Sequence, residues 1–231
     1  MPLAVTDLQV RGDAGRVILQ IDALAVRPGE CVGIRGPSGA GKSTLLFALA
    51  GLAAQAEGSV RWGATEFLAL GQDARASFRR RHMGMVFQDF LLFEELGAAA
   101  NAALAGAYAP RRDRPAIARQ ARAMLARLGL ATDDKRTVES FSGGERQRVA
   151  VARALANDPG IILADEPTAS LDRAAADRLI DDLTALVHES GKTLIAVSHD
   201  PALHARMDRL VTIADGGLAD VRPPNESRTN V

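Results

Sequence analysis

Nine residues, Gly36-Pro37-Ser38-Gly39-Ala40-Gly41-Lys42-Ser43-Thr44, constrain this chain more than any other stretch. They fit G-x-x-x-x-G-K-[ST], the phosphate-binding loop. The apolar run Cys31-Val32-Gly33-Ile34 precedes them and reads as a buried strand. Leu45, Leu46, Leu49 and Ala50 follow at helical spacing, and Gly51 sits where a helix would stop. The motif therefore has its required context of strand, loop and helix. Glycines let backbone N–H groups close around phosphate oxygens, and the helix N-terminus adds partial positive charge. Lys42 is placed to reach the β- and γ-phosphates, and the Ser43 hydroxyl to ligate Mg²⁺. The competing reading is a chance glycine turn before a helix. Lysine is scarce in this chain, yet one of the few falls on the required position.

At 231 residues the chain can bury a full core as one domain, with room for an inserted subdomain. Hydrophobic content is 47% and charged content 24%, ordinary for a globular protein. A formal net charge of +0 gives no global field toward nucleic acid or anionic lipid. Cys31, the only cysteine, has no internal disulfide partner, which fits a reducing compartment. No basic-then-apolar leader opens the chain, and no apolar run is long enough to span a bilayer. A membrane role must then come through a partner.

In chain order, Leu3–Val10 and Val17–Val26 read as strands around a turn at Gly12–Gly15. Ser59–Gly63 and Met83–Phe87 are further strand candidates. From Gln88 to about Leu155 the character turns helical, with Asp113 as a cap before Pro115 and an apolar face through Ile117, Ala121 and Leu125. Ile161–Ala164 and Leu194–Ser198 are continuous apolar runs, the pattern of doubly covered parallel strands. Between them Leu179, Leu183, Leu186 and Val187 share one helix face. Leu210–Ala214 and Leu218–Val221 close the fold around Gly216-Gly217. The expected class is α/β, a P-loop NTPase core with a mostly parallel sheet. An N-terminal antiparallel β subdomain lies beside it, and an α-helical subdomain (about 89–155) is inserted. Residues 1–222 form the single domain and 223–231 a disordered tail.

Ligands of such sheets bind at the carboxyl ends of strands, which puts Asp165, Glu166 and His199 on the edge that carries the phosphate loop. Asp165 ends the apolar strand and is suited to hold Mg²⁺ through water. Glu166 beside it is placed to polarise an attacking water; read alone, it is a solvated strand-end glutamate. Phe141-Ser142-Gly143-Gly144-Glu145 is a third motif. Ser142 and Glu145 form a capping box, but paired glycines at a helix start are also an anion site. One nucleotide in one chain does not need two such sites; two chains sharing nucleotides do.

These motifs in this order resemble the nucleotide-binding subunit of ATP-binding cassette (ABC) transporters over nearly the whole chain: phosphate loop, Gln88, Ser142-Gly143-Gly144-Glu145, Asp165-Glu166, Ser170-Leu171-Asp172 and His199. The resemblance implies ATP and Mg²⁺ as ligands, and a homodimer, or a heterodimer with a similar cassette. ATP would lie head to tail between one phosphate loop and the other chain's Ser142–Glu145. It further implies that Gln88 contacts Mg²⁺ and links to an integral-membrane permease, that Asp172 signals across the interface, and that His199 touches the γ-phosphate. The implied location is cytoplasmic, peripheral on the inner face of the membrane. Arg80–Gln88, Ser142–Arg148, Asp165–Asp172 and Ser198-His199-Asp200-Pro201 resemble the lipoprotein-release and macrolide-exporter group. An importer ATPase and a soluble ABC-type ATPase are the alternatives; a kinase or GTPase would lack the Ser142–Glu145 motif.

Two departures stand out. The family usually stacks an aromatic residue on adenine between the first two strands, but Val10–Arg16 holds none, leaving Arg11 or Arg16 as substitutes. Phe141 stands where the family has leucine. Arg79-Arg80-Arg81 and Arg111-Arg112 read as solvated faces rather than a nucleic-acid site. Asp89-Phe90-Leu91-Leu92-Phe93 follows Gln88 at once, with Leu96 close behind, and its apolar residues form a candidate docking surface for the permease, or else helical core.

Overall fold

The computed structural model describes residues 1–131 and 136–222; the expected disordered tail, 223–231, lies outside them. Ten strands form one mixed sheet in the order β5-β4-β1-β2-β10-β9-β3-β8-β7-β6. The parallel half is β9 (Arg209–Ala214), β3 (Cys31–Arg35), β8 (Thr193–Val197), β7 (Ile161–Asp165) and β6 (Met83–Val86). Strands β7 and β8 are buried at every residue, as continuous apolar runs between two covered faces require. The antiparallel half is β1 (Leu3–Arg11), β2 (Val17–Val26), β4 (Ala56–Trp62) and the short β5 (Thr65–Glu66). Strand β10 (Gly217–Arg222) returns antiparallel to β9 and touches β2 at one register point, Gly217 against Gln20, joining the halves. Asp215 and Gly216 both have positive φ, the turn geometry that suits a tight hairpin.

Alternation along the parallel strands sends side chains to two cores. Val32, Ile34, Leu163 and Ile195 pack with Leu45, Leu46 and Leu49 of α1 (Lys42–Leu49). Cys31, Ile162, Leu194 and Ala196 pack with Leu179, Ile180, Leu183 and Val187 of α6 (Arg173–Ser190). Helix α6 has its apolar residues at 3- and 4-residue spacing and ends at Gly191, which takes the left-handed conformation. A third core joins α3 (Ala98–Ala102), α4 (Arg114–Arg127) and α5 (Gly143–Leu155) through Ala102, Ile117, Leu125, Phe141 and Val149. Among the described residues no helix is long and apolar enough to cross a membrane.

Three local expectations are corrected. Asp113 stands at the N-cap of α4 in helical rather than extended backbone, so its carboxylate makes no capping bond; Pro115 does occupy the first turn. Asp89–Gly97 is loop, held by the buried Asn101, which accepts from Phe93 N–H and donates to the carbonyls of Phe93 and Leu96. Helix α2 (Gln72–His82) carries the arginine run, and Arg79 is no solvated residue: its guanidinium donates to the carbonyls of Ala50 and Gly51 at the end of α1.

Strand β6 lies against α5 at Gly84, where a Cβ would meet the Ala154 carbonyl oxygen at 2.3 Å and Pro159 at 2.8 Å. Backbone cannot yield as a flexible side chain would. Gly84→Ala should therefore destabilise the fold by about 1–3 kcal/mol, the usual range for overpacking, measured by urea unfolding.

Candidate functional site

The phosphate loop leaves β3 through Gly36, whose φ is +150° and whose added Cβ would lie 2.0 Å from the Ile213 carbonyl oxygen. No other residue fits there. Gly41 begins α1 in left-handed backbone. Lys42 is buried, and its Nζ donates to the carbonyls of Gly36 at 3.0 Å and Pro37 at 2.8 Å. The ammonium is thus held over the loop by acceptors that phosphate oxygens can replace.

Strand β7 delivers Asp165 to the same edge, in register with Val197 of β8. Burial raises its carboxyl above the usual value of 3.8, while the Ser43 hydrogen bond and the Lys42 charge oppose that rise and Asp89 adds to it. Its Oδ1 is buried without a hydrogen-bond partner. A hard acceptor oxygen left unpaired beside a hydroxyl is the donor set for a divalent cation such as Mg²⁺, and Ser43 and Asp165 fit that group. Gln88 lies two residues beyond β6, which pairs in parallel with β7, so it stands exposed at the same strand ends.

Glu166 takes φ +49°, a left-handed conformation that costs a non-glycine residue about 1–3 kcal/mol. Several bonds hold it there. Its N–H donates to Val197 O at 2.9 Å, and its carbonyl accepts from the Gln147 amide at 2.9 Å. The carboxylate accepts from Ser198 Oγ at 3.2 Å and His199 N–H at 3.4 Å, and His199 Nε2 lies 3.7 Å from Oε1. Glu166 and His199 are therefore one unit at the strand edge.

Ser142 and Glu145 form the expected reciprocal cap: Ser142 Oγ accepts from Glu145 N–H, and the Glu145 carboxylate accepts from Ser142 N–H. That backbone bond, with the Arg136 guanidinium, pulls the Glu145 carboxyl below its usual range. Phe141 fills the helical core with its ring under Arg136, 4.6 Å from the guanidinium carbon, so the larger residue is accommodated. Gly143 and Gly144 lie against Ser170 and Leu171, where a Cβ would come within 3.3 Å of either. Asp172 caps α6 through Ala175 N–H at 2.8 Å. Among the described residues, no hydrogen bond or ion pair joins Ser142–Glu145 to Gly36–Thr44. The chain brings Lys42, Ser43 and Asp165 together, with no such bond to Ser142–Glu145.

Four residues to which the sequence assigned no individual role connect these parts. Gln147 is fully buried and bridges Glu166 O to Ser170 N–H. Ser198 orients Glu166. Arg173 ties the Asp172 turn to Asp200 beside His199 at 3.0 Å, and Arg153 binds the loop after Gln88. Gln147 carried a signal: it is a lone amide on the inward face of α5, one turn after the glycines. Beside the loop a cavity of about 430 Å³ is lined by Arg16, Val17, Ile18, Pro37–Ala40, Asp215 and Gly216. Arg16 lies at this cavity, whereas Arg11 is turned to Gly15 O and Gln9.

A family model described as ABC transporter matches residues 19–169. The chain is 43% identical over 205 residues to the lipoprotein-releasing system ATP-binding protein LolD 1 of Rhodospirillum rubrum, covering 87% of this chain and 90% of that protein. It is 40% identical over 210 residues to the macrolide export ATP-binding/permease protein MacB of Rhodopseudomonas palustris, covering 89% of this chain but 31% of that longer one. A dimeric, post-hydrolysis structure of the ATP-binding cassette MJ0796 bound to ADP and Pi matches with a TM-score of 0.87 at 31% identity, covering 97% of this chain and 100% of that one. The chain belongs to the ABC transporter family, as an ATP-binding and ATP-hydrolysing subunit.

The orphaned carboxylate oxygen makes a prediction of unusual sign. Asp165→Asn removes a desolvated charge while keeping an acceptor for Ser43. The nucleotide-free protein should gain stability from loss of the desolvated charge, less the cost of the amide N–H groups that take the unpartnered position. Its melting temperature should rise while Mg²⁺-dependent ATP hydrolysis is lost; calorimetry and a phosphate-release assay read the two effects.

Proposed function

We propose that this chain drives a permease of the lipoprotein-release or exporter type from the cytoplasmic face of the inner membrane. Two cassettes, alike or closely similar, would bind ATP head to tail between Gly36–Thr44 of one and Ser142–Glu145 of the other. The observation that carries the permease reading is the loop after Gln88. It starts at the strand edge beside Asp165 and ends at the surface with Leu91 57% and Phe93 51% exposed. Leu91 also lines an apolar groove of about 330 Å³ with Met85, Phe87, Leu104 and Tyr108, the last 72% exposed. A partner docked there would feel the nucleotide site through one short segment. The similarity to the lipoprotein-releasing and macrolide-export proteins supports the subfamily.

The chemistry follows from the residues. The N–H groups of Ser38–Gly41 and the α1 terminus cradle the β- and γ-phosphates, and Lys42 exchanges its carbonyl acceptors for phosphate oxygens. Ser43 and Asp165, with Gln88 beside them, would hold Mg²⁺, which when bound would offset the phosphate charge. Glu166 accepts a proton from the attacking water, its carboxylate aimed by Ser198 and the His199 backbone. His199 donates toward the γ-phosphate. Ser142 and the N–H groups of Gly143–Glu145 from the second chain close the site, and Asp172, next to that motif's contact with Ser170, reports closure. Arg16 and Ile18 border the cavity where the base would lie. Nothing in this assembly needs nucleic acid.

Glu166→Gln keeps the shape and removes the base. ATP binding should persist while hydrolysis falls roughly 10²–10⁴-fold, and an ATP-bound dimer should accumulate on size exclusion. Turnover at the wild-type rate would assign the base elsewhere.

Leu91→Asp and Phe93→Asp place a charge on the docking surface at two exposed positions. Each should weaken permease pull-down or uncouple transport, with ATP affinity and melting temperature near wild type. A collapsed melt for either would mark that residue as structural, and intact binding and transport in both would put the docking surface elsewhere.

A further inference from the structure

At the opposite end of β3 from the phosphate loop, three potential metal ligands converge. Cys31 opens β3, His188 lies in the last turn of α6, and Asp208 immediately precedes β9. Cys31 Sγ is 3.8 Å from His188 Nε2, which is 3.2 Å from Asp208 Oδ2, and the three ligand atoms all lie within 4.8 Å of one another. Tetrahedral zinc, with bonds of about 2.3 Å to sulfur and about 2.0–2.1 Å to nitrogen or oxygen, sets such ligand atoms roughly 3.3–3.6 Å apart. The observed separations bracket that range.

We infer that Cys31, His188 and Asp208 form a binding site for a thiophilic divalent cation of the zinc class, distinct from the nucleotide site. Two further observations support it. First, Asp208 is pinned twice: its N–H donates to Cys31 O at 2.8 Å, and its Oδ2 accepts from Cys31 N–H at 2.7 Å. The carboxylate is therefore oriented before any cation arrives. Second, thiol and carboxylate both face the same ring nitrogen. A nucleophilic relay uses the two imidazole nitrogens separately, one for the thiol and one for the acid. Convergence on Nε2 is the arrangement of ligands around a shared centre.

Binding breaks the Cys31 S–H bond, forms the sulfur–metal bond and releases the proton to solvent. His188 donates its Nε2 lone pair, Asp208 one carboxylate oxygen, and water takes the fourth position on the half-exposed side. Because the ligands come from β3, α6 and the turn before β9, the cation cross-links α6 to the sheet on the face that α6 covers. Its expected effect is on stability rather than chemistry: the residues at this end of β3 take no part in phosphate binding.

The test uses the full chain freed of metal by chelation. Co²⁺ should bind at one equivalent with a thiolate-to-cobalt charge-transfer band, and Zn²⁺ should displace it and raise the melting temperature. Cys31→Ser should lose the band. Should that core variant fail to fold, His188→Ala decides the question from an exposed position: it should melt near wild type without metal, bind Zn²⁺ on the order of 100-fold more weakly in competition with a chromophoric chelator, and lose the zinc-dependent rise. Absence of the band at one equivalent, or equal Zn²⁺ affinity in His188→Ala and wild type, would overturn the inference.

Discussion

A carboxylate kept out of water at the end of a strand is the constraint on which the nucleotide site depends. Asp165 finishes β7, buried at every position, so its charge is desolvated by the same core that makes the sheet. Lys42 and Ser43 relieve part of the cost, and one oxygen is left without a partner. The alternative, an exposed carboxylate, would be solvated and would hold a cation weakly. The fold thus keeps an unfavourable group in place through strand pairing on both sides, β6 and β8.

The same edge holds a second strained element. Glu166 adopts a conformation that an L-residue resists, and the structure over-determines it with bonds from β8, from Ser198 and from Gln147. Gln147 lies on the helix that begins with Ser142, and its other end bonds the turn that leads to Asp172. A single buried amide therefore joins the Glu166 backbone, the helix that begins at Ser142 and the turn before α6. Movement of α5 would be felt at Glu166 through one side chain rather than through the sheet.

Legibility in the sequence divided along a physical line. The phosphate loop, Asp165 and the parallel strands were readable because each rests on local chemistry: glycine geometry, continuous apolar runs, a carboxylate at a strand end. Helix α2 was not readable, since a run of Gln, Asp, Arg and Ser residues lacks an apolar stripe, and Arg79 turned out to cap α1 from a distance. Asp113 failed as a cap because capping needs extended backbone at that residue, which composition does not report. Gln147, Arg153 and Arg173 act between segments far apart in the chain. The Cys31–His188–Asp208 cluster is hidden for the same reason, its members separated by 157 and 20 residues.

The loop after Gln88 shows how such distant contacts set a balance. Phe90 and Leu91 both have positive φ, at 59° and 49°, and each costs about 1–3 kcal/mol in that state. Arg153 from the end of α5 opposes the cost by donating to the carbonyls of Phe90 at 2.6 Å and Leu91 at 2.5 Å. Charge-assisted bonds of this kind contribute about 1.5–3 kcal/mol each. The two terms are of the same size and opposite sign. Asn101 holds the far end of the same segment, which lies between the strand edge that carries Gly36–Thr44 and a surface lined with apolar side chains. The arginine that holds it belongs to the helix that begins with Ser142. Through Arg153 and Gln147, α5 is thus hydrogen-bonded both to this loop and to Glu166 at the strand edge.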